Sequence, residues 1–342
     1  MIQLRRPMLT DVQKSVYDEM VKYLWDRKLE FKFKTRCVGE DVLAAYKAVH
    51  FDHFELFWLG FDGEATDHPY DRRKKTSFSI NSLVPEGEID HWQQVIDQKV
   101  KDFLATVPTG ATTFEKVLLA YEHVINHTTY DLEARFRHNA LGVFADGRAV
   151  CSGYSEAFAY LLTAMGIPCA CVTGATNGSR EPNHEWNVVE IDGLATFVDV
   201  TMGDPGFRGE DGHEEVVTHA YFGLTDTEIK KSHAIDEGQL VPACKTKAFD
   251  WYGKRGRLVA TFSAQRVESI LCGAVARGER MCEFKCATPA AFEESIAFVK
   301  SRKIFEGPFW KAASSFCKAR GEDIDELTYY DYPDVRVIVL SW

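Results

Sequence analysis

The dipeptide Asp192-Gly193, set between the apolar runs HEWNVVEI (184–191) and LATFVDV (194–200), restricts the fold of this chain more than any other feature. Aspartate and glycine accept the positive φ values of a two-residue β-turn, so the pair predicts a tight hairpin. With Asp192 and Gly193 as the turn, Ile191 faces Leu194 and Trp186 faces Asp199. Side chains alternate along a strand, so His184 shares the face of Trp186 and becomes the diagonal neighbour of Asp199. The turn alone therefore brings an imidazole and a carboxylate onto one face.

Upstream, Phe158, Leu161, Leu162 and Met165 recur at helical spacing after Cys151-Ser152-Gly153-Tyr154, which predicts a helix starting just behind Cys151. Gly166 suits the left-handed position that ends a helix, and Pro168 prevents continuation. The run from Cys169 to Thr173 then reads as a strand, and 177–183 as a turn-rich loop. A thiol at a helix N-terminus faces unpaired amides and the positive end of the helix dipole, both of which favour the thiolate. A carboxylate beside an imidazole orients it and stabilises its cation, and that cation activates a neighbouring thiol. Cys151, His184 and Asp199 are thus the candidate nucleophile, base and orienting acid for acyl transfer.

The quoted segments AVCSGYSEAFAYLL (149–162), HEWN (184–187) and VDVTMGDP (198–205) resemble the transglutaminase-like superfamily, with its Cys-His-Asp triad. The resemblance implies a papain-like α+β fold, a helix packed on an antiparallel sheet, and assigns the three residues the same roles. It extends upstream to Tyr130-Asp131 and downstream to about Tyr221-Phe222. Met202-Gly203 stand where the family carries a tryptophan and an acidic residue, which bears on the pocket. Glu185 replaces the commoner alanine, and the pleat directs it away from His184, so little catalytic consequence is expected.

The second donor to an oxyanion, beside the Cys151 amide, is left open among Asn139, Trp186 and Tyr154. The expected activity is that of a transglutaminase-like cysteine protease or a transglutaminase. It would attack protein or peptide amides through a thioester, with hydrolysis slightly favoured over transamidation. The alternative is a non-catalytic interaction or adaptor protein that keeps the fold.

Around this core, helical stripes are expected at 11–27, 40–49, 89–104 and from about Thr113 to His127. The tail reads as a strand (280–287), two helices (289–301 and 309–320) and terminal strands (326–330 and 335–341). Three regions follow: a mostly helical 1–110, a catalytic core 111–235, and a small α+β extension 236–342. The aromatics of 51–58 read as core.

Other constellations carry less. His123 and His127 lie one helical turn apart, but EHVINH lacks the glutamate of a metalloprotease helix. Cys282 and Cys286 lack a second pair for zinc. No calcium loop of the D-x-D-x-D-G type is present, so no metal or cofactor is expected and activity should not need calcium. The net charge of -11 opposes nucleic-acid binding, and the basic run Arg72-Arg73-Lys74-Lys75 reads as a solvated loop. Nine cysteines without a disulfide pattern, no signal-peptide core and no membrane span point to a cytoplasmic protein. The oligomeric state is not legible.

Overall fold

The computed structural model describes residues 2–68, 75–176, 183–204, 217–322, 324 and 326–342. Arg72-Arg73-Lys74, residues 177–182 of the turn-rich loop, and Pro205 lie outside the described residues. The chain divides into two compact units, Met1–Val217 with His233–Thr246, and Thr218–Ser232 with Lys247–Trp342. Among the described residues no helix is long and apolar enough to cross a membrane.

The first unit opens with α1 (Asp11–Trp25), where Thr10 and Gln13 form a capping box and Val16, Tyr17, Met20 and Leu24 supply the buried stripe. β1 (Glu30–Lys32), α2 (Gly39–Asp52), β2 (Leu59–Asp67) and β3 (Thr76–Ser82) follow, the strands pairing antiparallel in the order β1-β3-β2. This small sheet is not announced by the helical spacing on either side of it. β2 is buried only at Leu59 and Gly60, whereas the alternation of β3, with Thr76, Phe78 and Ile80 buried, is present in the sequence but short and polar between.

Two amphipathic helices, α3 (Ile89–Thr106) and α4 (Thr113–Asn126), lead to β4 (Thr129–Tyr130), which pairs parallel with β5 (Arg148–Ala149). Then comes α5 (Cys151–Ala164), whose buried face includes Tyr154, Phe158, Leu161 and Leu162, each side chain contributing about 1.5–3 kcal/mol of apolar burial. Gly166 closes it at φ 72°. β6 (Cys169–Thr176), β7 (His184–Ile191) and β8 (Leu194–Val198) form an antiparallel meander, and α5 packs against β6 and β7.

The hairpin register is the expected one. Ile191 faces Leu194 and Asn187 faces Val198, with Asp192 at φ 50° and Gly193 at φ 80°. The chain gives β9 (Phe222–Leu224) and α6 (Asp226–Ile229) to the second unit, then returns with β10 (His233–Ile235), which pairs antiparallel with β6. The first unit is thus an α+β arrangement with a helix laid on an antiparallel sheet.

The second unit continues with α7 (Trp251–Lys254), β11 (Leu258–Val259), α8 (Ala264–Ala276), β12 (Met281–Cys286), α9 (Pro289–Val299), α10 (Pro308–Lys318), β13 (Thr328–Tyr332) and β14 (Val337–Ser341). Its sheet runs β11-β12-β14-β13, with only the β11–β12 pair parallel. α8 is absent from the expected order of elements, although Val267, Ile270, Leu271, Ala274 and Val275 have the same helical spacing. Cys282 and Cys286 join Phe284 in one apolar core. The opposite face of β12 is polar. Glu283 accepts hydrogen bonds from His219 Nδ1 and the Tyr252 hydroxyl, both at 2.6 Å, and Lys285 pairs with Glu228 at 2.9 Å.

Candidate functional site

Cys151 is the first residue of α5, behind a Val150 cap that offers no side-chain acceptor to the opening amides. The approach to this helix is tight. A Cβ on Gly153 would lie 2.6 Å from the Ala149 Cβ and 2.9 Å from the carbonyl oxygens of Arg137 and Asn139, so only glycine lets the 137–139 segment lie against the first turn. Sγ of Cys151 is half-buried, 4.0 Å from the Asn183 carbonyl oxygen.

His184 opens β7 and Asp199 follows β8. The diagonal relation read from the hairpin becomes a contact of 2.6 Å between His184 Nε2 and Asp199 Oδ2. The other carboxylate oxygen accepts the Met202 amide at 2.9 Å. Burial disfavours a charged His184, but the Asp199 charge, their hydrogen bond and a hydrogen bond with the Cys151 thiol outweigh it and raise its pKa to about 10. For Asp199, burial pushes upward, while His184 and His233 hold the carboxyl well below the usual range. The site is therefore built for an imidazolium next to a carboxylate. With Nε2 committed to Asp199, Nδ1 is the ring nitrogen left for the thiol.

The sequence reading missed His233. From the start of β10 it places Nε2 2.9 Å from the same Asp199 Oδ2. Among the described residues, His184, Asp199 and His233 are the one group of three whose ligand atoms lie close enough, within 4.8 Å of one another, to hold a metal. Both imidazoles, however, spend their Nε2 on one carboxylate oxygen at hydrogen-bond length. The arrangement is complete without an ion.

A cleft of about 800 Å3 opens beside Cys151 and His184. Phe61 and Leu132, exposed by 53% and 63%, contribute apolar surface to it. Tyr130 also lines it; burial, reinforced by the neighbouring Cys151, raises its phenol to about 12, so it remains a donor at working pH. Its place on the two-residue strand β4 could be found in sequence only through the Tyr130-Asp131 pair.

None of the three suggested oxyanion donors lines the cleft; two are engaged elsewhere, and the Trp186 Nε1 is buried without a partner. Asn139 Nδ2 donates to the Phe57 carbonyl at 3.2 Å, and the Tyr154 hydroxyl lies 2.7 Å from Asp204 Oδ2. Trp186 is fully buried, 4.8 Å ring to ring from His233 and stacked at 6.0 Å on His184.

Arg5 also lines the cleft. Its guanidinium donates to the Cys171 carbonyl, Thr173 Oγ1 and Gln239 Oε1 at 3.3, 3.1 and 3.0 Å. Glu185, on the strand face away from His184 as expected, is deeply buried, and one of its oxygens has no partner. Burial raises its carboxyl to about 7 against the opposing charge of Arg5. A carboxyl raised in the folded state withdraws stability as pH climbs from its ordinary range, about 4.5, through about 7. Glu185→Gln should therefore stabilise the protein at pH 8 by on the order of 2 kcal/mol and change little at pH 5. Thermal unfolding at both pH values checks this; equal shifts at both would show that ionisation is not the cause.

Compared with known proteins, residues 101–203 match the family model of the transglutaminase-like superfamily. No curated protein matches. Solved structures that resemble the chain include a TGase, at 18% identity and TM-score 0.30, covering 43% of this chain and 46% of that one. A protein provisionally titled a cysteine protease, from Cytophaga hutchinsonii, matches at 14% identity and TM-score 0.27, over 46% of this chain and 65% of its own. A provisionally titled protease from Parabacteroides distasonis matches at 11% and 0.25, over 41% and 36%. The chain thus spans less than two thirds of each of these proteins. Residues 101–203 form a transglutaminase-like core, and Cys151, His184 and Asp199 all fall inside it.

Proposed function

We propose that this protein is a cysteine-dependent acyl-transfer enzyme acting on amides of proteins or peptides, with Cys151 as nucleophile, His184 as acid and base, and Asp199 as the acid that orients His184. The observation that carries this reading is the juxtaposition in one cleft of Cys151, at the start of α5, with His184, whose Nε2 is held 2.6 Å from a buried carboxylate. The thiolate attacks the amide carbon, the oxyanion forms beside the free amides at the start of α5, and His184 gives its Nδ1 proton to the departing amine. A thioester remains. Water or an amine then attacks it, His184 takes the proton, and the thiolate leaves.

The cleft is open to solvent at Cys151, which supports hydrolysis slightly ahead of transamidation, as peptidase or deamidase chemistry. The test is alkylation by iodoacetamide from pH 5 to 9, read by intact mass and peptide mapping. Cys151 should react faster than the other eight cysteines, and His184→Ala should slow it by about 10-fold or more. Labelling at Cys151 that is slow and indifferent to His184 would sink the reading in favour of a non-catalytic binding protein. Peptide substrates offered with and without a primary amine then separate cleavage, deamidation and amine incorporation by product mass.

A further inference from the structure

Asp199 Oδ2 receives two imidazoles. His184 Nε2 lies 2.6 Å away and His233 Nε2 2.9 Å away, with both His233 and the carboxylate completely buried. The lowered pKa of Asp199 makes the carboxylate an acceptor only, so each ring donates Nε2–H to it. Together with the Met202 amide on Oδ1, three donors fix this carboxylate. Its rotamer is then set from two sides, by the loop after β8 and by the edge strand β10.

The backbone shows how His233 arrives there. Across β6, Gly174 faces His184 on one side and Ile235 on the other, while Thr176 faces His233. A Cβ at Gly174 would lie 2.0 Å from the Ala234 carbonyl oxygen and 2.8 Å from the Trp186 ring. The bare glycine thus allows β10 to close on β6 while Trp186 fits against both imidazoles, 4.8 Å from His233 and 6.0 Å from His184.

We propose that His233 is a positioning residue of this site, holding the Asp199 carboxylate by its Nε2–H in the orientation that aims His184 at Cys151. The proposal rests on the acyl-transfer reading above. The His233 side chain has no exposed surface and meets no substrate; its effect passes through Asp199 and belongs to the chemical step, since a small misorientation of a catalytic group lowers turnover without touching substrate binding.

The test compares the full chain with His233→Gln, which keeps a donor near the position of Nε2, and His233→Leu, which fills similar space without one. Leu should lower kcat, or the Cys151 alkylation rate, by about 10-fold to 100-fold at unchanged KM, and Gln should recover most of that loss at a similar Tm. In parallel, the NMR signal of the His184 Nε2 proton should stay far downfield in the parent and in Gln, and move or broaden in Leu. That signal reports orientation without turnover. If it behaves as stated while the parent neither alkylates nor turns over, the acyl-transfer reading fails and the positioning contact stands. Equal losses in Gln and Leu that follow Tm, or no loss in Leu, overturn the proposal. So does a parent that lacks the Nε2 proton signal and loses activity to a chelator, because a metal would then sit where the protons were assigned.

Discussion

Cys151→Ala is expected to reduce amide turnover by at least about 10³-fold, to the level of the binding cleft alone. No second thiol can substitute. The other cysteines of the same unit, Cys37, Cys169, Cys171 and Cys244, are all buried, and burial drives the thiols of Cys37, Cys169 and Cys171 upward and away from the reactive form. The substitution should leave the fold nearly untouched, because the half-buried Sγ packs loosely, with its Asn183 contact at 4.0 Å. Turnover, thioester trapping by intact mass and Tm measured on one preparation check the claim. Turnover that survives with an unchanged Tm would place the chemistry elsewhere.

Asp199→Ala should combine the largest loss of stability with a loss of kcat on the order of 10³-fold to 10⁴-fold. Removing the carboxylate strands His184, His233 and the Met202 amide in the interior, and breaking a buried pair in this way costs about 3–5 kcal/mol. The cost has a defined pH window. The depressed Asp199 pKa contributes stability above its ordinary value of 3.8, and this is lost as pH falls through the lower folded value. The raised His184 pKa contributes stability fully present below 6.5 and lost as pH rises through about 10. Parent and variant should therefore differ most between about pH 4 and pH 6.5, and converge toward both extremes. Urea unfolding of both proteins at pH 3, 5 and 10 checks this, and a gap independent of pH would show that packing, not ionisation, sets the cost.

What the sequence disclosed depends on how far apart the interacting groups are along the chain. The Asp192-Gly193 turn reports on its own flanks, so the register and the His184–Asp199 pairing followed from it and hold in the structure. The helix behind Cys151 is a local pattern with a local stop at Gly166, and it too was readable. His233 was not, because β10 has only three residues and shows no period, and its partner lies 34 residues away. Arg5 was equally silent: it meets Thr173 and Gln239 at separations of 168 and 234 residues, and nothing in its neighbourhood announces either. Glu185 was assigned to the correct face, but alternation gives direction without depth, and its burial depends on what α5 and Arg5 bring over that face.

Gly174 also makes one position answer for another on a different strand. Because a single carbon there would collide with the backbone of β10, any larger residue at 174 must displace this edge strand, and His233 with it. A substitution that never touches Asp199 would thus cost it one of its donors.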